Sequence, residues 1–270
     1  MSAEKKPQKM SVTRLQAMKQ AGEKIACLTA YDASFAKILD QAGVDLVLVG
    51  DSLGMVIQGH ETTLPVTMDE TVYHAQAVRR GLSQALLVVD LPFMSYVDPM
   101  SALHNAGRLL KESGAQMVKL EGGASQVQTV KLLAQKGIPV CAHLGLQPQA
   151  VHKLGGYRLQ GKDDQSAAIL LKDAVLLAEA GADLLILECV PELLASEITA
   201  NVDIPVIGIG AGVGVDGQIL VLYDLLGLSH NAPRFSKNFL LGHDSIQAAI
   251  AAYVAAVKVG SFPAPEQVLA

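Results

Sequence analysis

The sequence predicts an α/β protein made of a single closed (β/α)8 barrel of the TIM type, with an N-terminal helix covering the bottom of the barrel. Three observations carry this prediction. Short β-branched runs alternate with amphipathic helical stretches along the chain. Most of the runs are apolar without polar alternation, as parallel strands covered on both faces should be. Eight such units fit in about 250 residues, the usual size of this barrel. An open doubly wound sheet is the alternative architecture.

The elements follow in order. The opening stretch is polar and bears Glu4, Lys5, Lys6 and Lys9, with no apolar segment, so it is not a secretory signal. Ser11 is placed to cap a helix over 12–20. This N-terminal segment and helix, 1–24, precede a catalytic barrel domain, 25–270. Strands are predicted at 25–30, 44–49, 85–90, 115–120, 138–143, 182–188, 204–209 and 218–224. An internal repeat supports one closed domain. Ala42-Gly43-Val44-Asp45, Ser113-Gly114-Ala115-Gln116 and Ala180-Gly181-Ala182-Asp183 each place a glycine, able to end a helix in the left-handed conformation, just before a strand. Pro139 and Pro205 stand at strand starts, where no ladder donor is lost. Two connections are long, 50–66 and 144–163. Loops of this length are usually lids or binding loops, and both follow strands, hence lie on the catalytic face. The first ends at a capping box, Thr67 with Glu70, opening a helix that carries Tyr73 and His74.

Composition narrows the function. Of 270 residues, 50% are hydrophobic and 17% charged, and the mean hydropathy is +0.33. No uninterrupted apolar run reaches the roughly 18 residues of a membrane span. The apolar excess therefore belongs to doubly covered strands and subunit interfaces. A net charge of −5 without a basic patch argues against nucleic acid. Cys27, Cys141 and Cys189 are scattered, with no CxxC, and read as buried reduced thiols of a cytosolic protein.

Chemistry is concentrated after the strands. The second to sixth strands lead into Asp51, Asp90, Glu121, His143 and Glu188, all at one level. The period of two puts Lys119 with Glu121, Val88 with Asp90, and Ile186 with Glu188 on the inward face. The orientation of Asp51 depends on the turn at Gly50. Four carboxylates at one mouth repel one another unless neutralised, and a hard cation such as magnesium, which prefers oxygen ligands, would do so. No His/Cys spacing suits zinc, and His60, His74, His104, His152, His230 and His243 form no cluster. Lys119 either balances Glu121 or holds a substrate carboxylate. His143 is either a packing residue or a substrate contact. The run Gly208-Ile209-Gly210-Ala211-Gly212 is either a phosphate-binding loop or a tight turn.

Val49-Gly50-Asp51-Ser52-Leu53-Gly54-Met55, Gly59-His60 and Thr63-Leu64-Pro65-Val66-Thr67 resemble the signature of the 3-methyl-2-oxobutanoate (ketopantoate) hydroxymethyltransferases. The resemblance continues through Asp90-Leu91-Pro92-Phe93-Met94-Ser95-Tyr96, Val118-Lys119-Leu120-Glu121-Gly122-Gly123, His143-Leu144-Gly145-Leu146-Gln147-Pro148, Gly155-Gly156-Tyr157-Arg158, the 208–212 run and Asp216-Gly217-Gln218-Ile219-Leu220-Val221. It implies a magnesium-dependent one-carbon transferase of pantothenate biosynthesis. The hydroxymethyl group would pass from 5,10-methylenetetrahydrofolate to 3-methyl-2-oxobutanoate through a metal-stabilised enolate, giving 2-dehydropantoate and tetrahydrofolate. It further implies Asp51, Asp90 and Glu121 as metal ligands, and Asp51, Ser52, Asp90 and Lys119 as keto-acid contacts. Glu188 becomes the proton acceptor, and the assembly a cytoplasmic homodecamer without nucleic-acid or membrane partners. The rival reading is a metal-dependent C–C lyase of the isocitrate-lyase type. A phosphate-binding barrel synthase and a barrel that has lost catalysis are the others.

Overall fold

Eight strands, bonded in sequence order, close into a barrel in a computed structural model that describes residues 9–229 and 231–269. Glu4, Lys5, Lys6 and His230 lie outside the described residues. The chain runs α1 (Val12–Ala21), β1 (Ile25–Thr29), α2 (Ala33–Gln41), β2 (Leu46–Val49), α3 (Leu53–Val56), α4 (Met68–Gly81), β3 (Leu86–Asp90), α5 (Pro99–Arg108), β4 (Met117–Glu121), α6 (Val127–Gln135), β5 (Val140–Gly145), α7 (Val151–Leu154), α8 (Asp164–Glu179), β6 (Leu184–Glu188), α9 (Glu192–Asn201), β7 (Val206–Ile209), β8 (Gly217–Leu220), α10 (Leu222–Leu225) and α11 (Ile246–Lys258). All pairings are parallel, and β8 closes on β1 through Ile25↔Gly217 to Leu28↔Leu220. The closed ring excludes the open doubly wound sheet. Strand residues are buried throughout, apart from the half-buried Glu188, which explains the unbroken apolar runs.

Several strands begin two residues later than the apolar runs suggest. The reason lies in the helix ends. The N–H groups of Val44, Ile138 and Ala182 bond back to Leu39, Leu133 and Leu177, each at 3.1 Å, closing the preceding helix around Gly43, Gly137 or Gly181. Those glycines carry φ of 83°, 75° and 103°, so the repeat is a helix stop first and a strand start second. Pro139 and Pro205 accept ladder bonds from Val118 and Leu185 at 3.0 Å and lose no donor.

The bottom is covered as the sequence suggests. Ser11 caps α1, which buries Leu15 and Met18. Met10 N–H reaches Gln84 O at 2.8 Å just before β3, and Lys19 Nζ reaches Asp216 at 2.8 Å just before β8. Both partners precede strands, at the end opposite the acids.

Two expectations need correction at the seventh and eighth strands. Among the described residues no helix lies between β7 and β8. Residues 210–216 descend directly to β8, shorter than the dozen or so residues such a crossover usually takes. Glycines allow this. A Cβ on Gly212 would lie 2.4 Å from Glu192 Cγ, and one on Gly214 1.9 Å from Ser196 Oγ, so the segment lies flat on α9. At Gly212 the glycine run thus ends in a close approach between backbone and helix. The eighth strand also ends at Leu220, not at 224. Thr29 Oγ1 accepts the Leu222 N–H at 3.0 Å, and the chain turns into α10.

The three cysteines are buried and free. Among the described residues no helix is long and apolar enough to cross a membrane.

Candidate active site

The long connections after β2 and β5 are partly helical. The first contains α3. The second contains a 3-10 turn, Pro148–Ala150, and then α7. They meet over the mouth, where Tyr157 Oη donates to Met55 Sδ at 3.5 Å. Beneath them lies a cavity of about 900 Å³, lined by Asp51, Ser52, Asp90, Lys119, Glu121, His143 and Glu188. Every site residue read from the sequence therefore faces one cavity.

The strand register explains the convergence. Asp90 pairs with Lys119, two residues before Glu121; Glu121 pairs with His143; His143 pairs with Ile186, two before Glu188. The single level expected along the ladder is in fact a staggered one. Strands tilt in a barrel, so neighbouring strands supply side chains at one height only with such a stagger.

Lys119 is buried and donates to Asp90 Oδ1 at 2.6 Å, with Glu121 Oε1 at 3.7 Å. Burial alone would depress its pKa. Asp90, Glu121 and Asp51 outweigh that and hold it well above the ordinary lysine value. Asp90 Oδ2 accepts the Asp51 N–H at 2.9 Å, which locks the turn at Gly50. Burial, Asp90 and Glu121 raise the Asp51 carboxyl well above the usual carboxylate range. Glu121 goes the other way: burial is outweighed by His143, Lys119 and the Gln149 N–H. Ser52 Oγ shares a hydrogen bond of 2.8 Å with Tyr31 Oη.

Sequence reasoning missed Gln149. Its side chain is buried between the acids. Nε2 donates to Asp51 Oδ2 at 2.8 Å and to Leu91 O at 3.0 Å, and its N–H donates to Glu121 Oε2 at 3.1 Å. Tyr96 Oη donates to its Oε1. One neutral residue thus spaces two acids from strands β2 and β4. The only signal was its place just beyond Gln147-Pro148, in a loop whose path the sequence does not reveal.

Glu188 stands apart from the other acids. His143 lies between it and Glu121, with Nε2 3.4 Å from Glu188 and Nδ1 3.5 Å from Glu121. Neither ring nitrogen makes a hydrogen bond of good geometry among the described residues, so the imidazole packs between two carboxyls. Burial, then Glu121, pushes Glu188 up to about 8. Its side chain keeps 15% exposure at the cavity wall. Backbone contacts set its position. Leu146 N–H bonds to Glu188 O at 2.7 Å, and Cys189 takes a left-handed φ of 50° immediately afterwards.

The acids have the chemistry of a cation site. All donors are hard oxygens, and the buried Glu121 Oε1 has no hydrogen-bond partner. That fits a magnesium-like ion. Among the described residues, no three of His, Cys, Asp and Glu already enclose one point. An ion that keeps waters and takes substrate oxygens does not need them to.

A closed barrel whose mouth holds a buried lysine among carboxylates, one of them raised by burial, has the form of an enzyme active site. The particular kind follows from likeness to known proteins. This chain belongs to the ketopantoate hydroxymethyltransferase family, whose sequence model matches residues 9–265. It is 59% identical over 257 residues to 3-methyl-2-oxobutanoate hydroxymethyltransferase of Halorhodospira halophila, covering 95% of this chain and 94% of that one. Its fold is like that of a putative phosphonomutase from Burkholderia cenocepacia, with a TM-score of 0.62 at 17% identity, covering 80% of this chain and 94% of that one. It is also like 2,3-dimethylmalate lyase, described as a PEP mutase/isocitrate lyase superfamily member, with a TM-score of 0.58 at 15% identity, covering 82% and 84%. Fold alone would admit the lyase rival; the sequence likeness separates the two.

Proposed function

We propose that the chain transfers a hydroxymethyl group from 5,10-methylenetetrahydrofolate to 3-methyl-2-oxobutanoate, giving 2-dehydropantoate and tetrahydrofolate in pantothenate biosynthesis. The observation that carries the reading is Glu188, a carboxyl raised to about 8 in the same cavity as a charged lysine, in a chain of this family. The keto acid carries a carboxylate, which the Lys119 ammonium and the Ser52 hydroxyl would hold. Tyr31 orients that hydroxyl. Asp51 and Asp90 flank the same end of the substrate. Glu188 accepts the C3 proton, and its half-apolar wall makes it basic enough to do so near neutrality. His143 is a further substrate contact from the floor.

Asp51, Asp90 and Glu121 would hold magnesium, which when bound polarises the keto carbonyl and offsets charge developing on its oxygen. In balance, C3 gives up a proton and gains CH2OH. The carbon comes from the folate methylene and the oxygen from water. Tetrahydrofolate leaves with the C3 proton and one proton of that water. The loops carrying Met55 and Tyr157 shield the reactive methylene from bulk solvent.

A cytoplasmic homodecamer belongs to the same reading. Met94, Val97 and Met100, at 65%, 61% and 65% exposure on one stretch after β3, support a subunit interface. The deciding experiment incubates the protein with magnesium, keto acid and methylenetetrahydrofolate, omitting each in turn. Ketopantoate should form only with all three. Turnover of the keto acid without folate would overturn the reading in favour of a lyase.

A further inference from the structure

The cavity is larger than the keto acid requires. A volume of about 900 Å³ lies within the roughly 300–1,000 Å³ of pockets that enclose drug-sized ligands. The strand-end acids account for only part of its lining. The cavity is also lined by Ile219 of β8 and, beyond that strand, by Tyr223, Asp224, Arg234 and Phe235. Asp224 is buried, with 8% exposure, on the short helix α10, where Ser229 is its hydrogen-bonding side-chain neighbour. It lines the same cavity as Ser52 and Asp51.

Resting on the reaction proposed above, we infer that this part of the lining is the folate subsite, with Asp224 receiving the paired N–H donors of the 2-amino-4-oxo pterin edge. Adjacent N–H groups on a planar ring match the two oxygens of a carboxylate, as guanidinium does. Burial raises the Asp224 carboxyl, and Ser229 offsets only part of this. Two donors from a ligand would supply the solvation that the pocket withholds. Tyr223 is half-buried at the cavity, held against Tyr31 at 5.9 Å between ring centroids, and offers a flat face for the pterin. Arg234 is exposed at the rim, where the glutamate carboxylates of the folate tail would emerge.

The test separates the two half-reactions. On the proposed reaction, deuterium exchange at C3 of the keto acid should require magnesium and Glu188 but no folate. Asp224→Asn should raise KM for methylenetetrahydrofolate about tenfold or more relative to its effect on exchange, the loss expected for a charged hydrogen-bond pair. With the unaltered enzyme, 2-desamino-tetrahydrofolate should inhibit about tenfold more weakly than tetrahydrofolate. Arg234→Gln should reduce the advantage of polyglutamated over monoglutamated folate. Equal inhibition by the two folates overturns the subsite, and so does an Asp224→Asn defect as large in exchange as in transfer. Failure of the unaltered enzyme to exchange C3 deuterium would instead overturn the reaction on which the subsite rests.

Discussion

Glu188 differs from the other three acids in its surroundings. Asp51, Asp90 and Glu121 each accept a hydrogen bond from Gln149, Lys119 or a backbone N–H, whereas the described contact of Glu188 is the His143 ring at 3.4 Å. Glu188→Gln should abolish C3 deuterium exchange and leave magnesium affinity, read by calorimetry, unchanged. Exchange at the unaltered rate would remove Glu188 from the role of base. A carboxyl accepts a proton only when ionised, so the exchange rate should climb with pH through neutrality and level off above about 8. A flat profile by proton NMR would contradict it. The stability sign is opposite. The fold favours the protonated form, so Glu188 contributes stability below the ordinary 4.5, lost as pH rises through about 8. Gln149 acts through its neighbours. Gln149→Ala removes donors to Asp51 and Leu91 and should weaken magnesium binding by about tenfold, seen in metal titration without substrate. The acids were legible in the sequence because each ends an apolar run. Gln149 was not, because its partners lie 98, 58 and 28 residues away.

Elements position these residues through glycines that admit close backbone contact. Gly145 ends β5 with φ of 92°, and a Cβ there would lie 2.1 Å from Glu188 O. Gly145→Ala should push β6 away and displace Glu188, lowering exchange more than magnesium affinity; equal losses would indicate general disorder instead. Gly212→Ala meets Glu192 at 2.4 Å and a φ of 75°. It should cost on the order of 1–3 kcal/mol in urea unfolding. The helix-stop glycines were readable because Schellman-type ends are local. The helix-free crossing between β7 and β8 was not. Its glycines look the same in sequence as those of a phosphate loop, and only their contact with Glu192 and Ser196 tells the two apart.

At the scale of the whole molecule, α1 seals the strand ends opposite the chemistry. Leu15 is fully buried, and Leu15→Ala should cost about 2–5 kcal/mol in global stability with exchange activity retained in the folded fraction. Loss of exchange without loss of stability would show that the bottom of the barrel communicates with its mouth. The sequence by itself determined the barrel, its covering helix and the acidic mouth, because each is written in local patterns: apolar runs, helix stops and residues two apart on one strand. Only the tertiary structure shows how the surroundings of the acids differ, which neutral residue spaces them, and that the buried Asp224 lines the same cavity. Those depend on burial and on distances between residues far apart in the chain, which periodicity along one strand cannot encode.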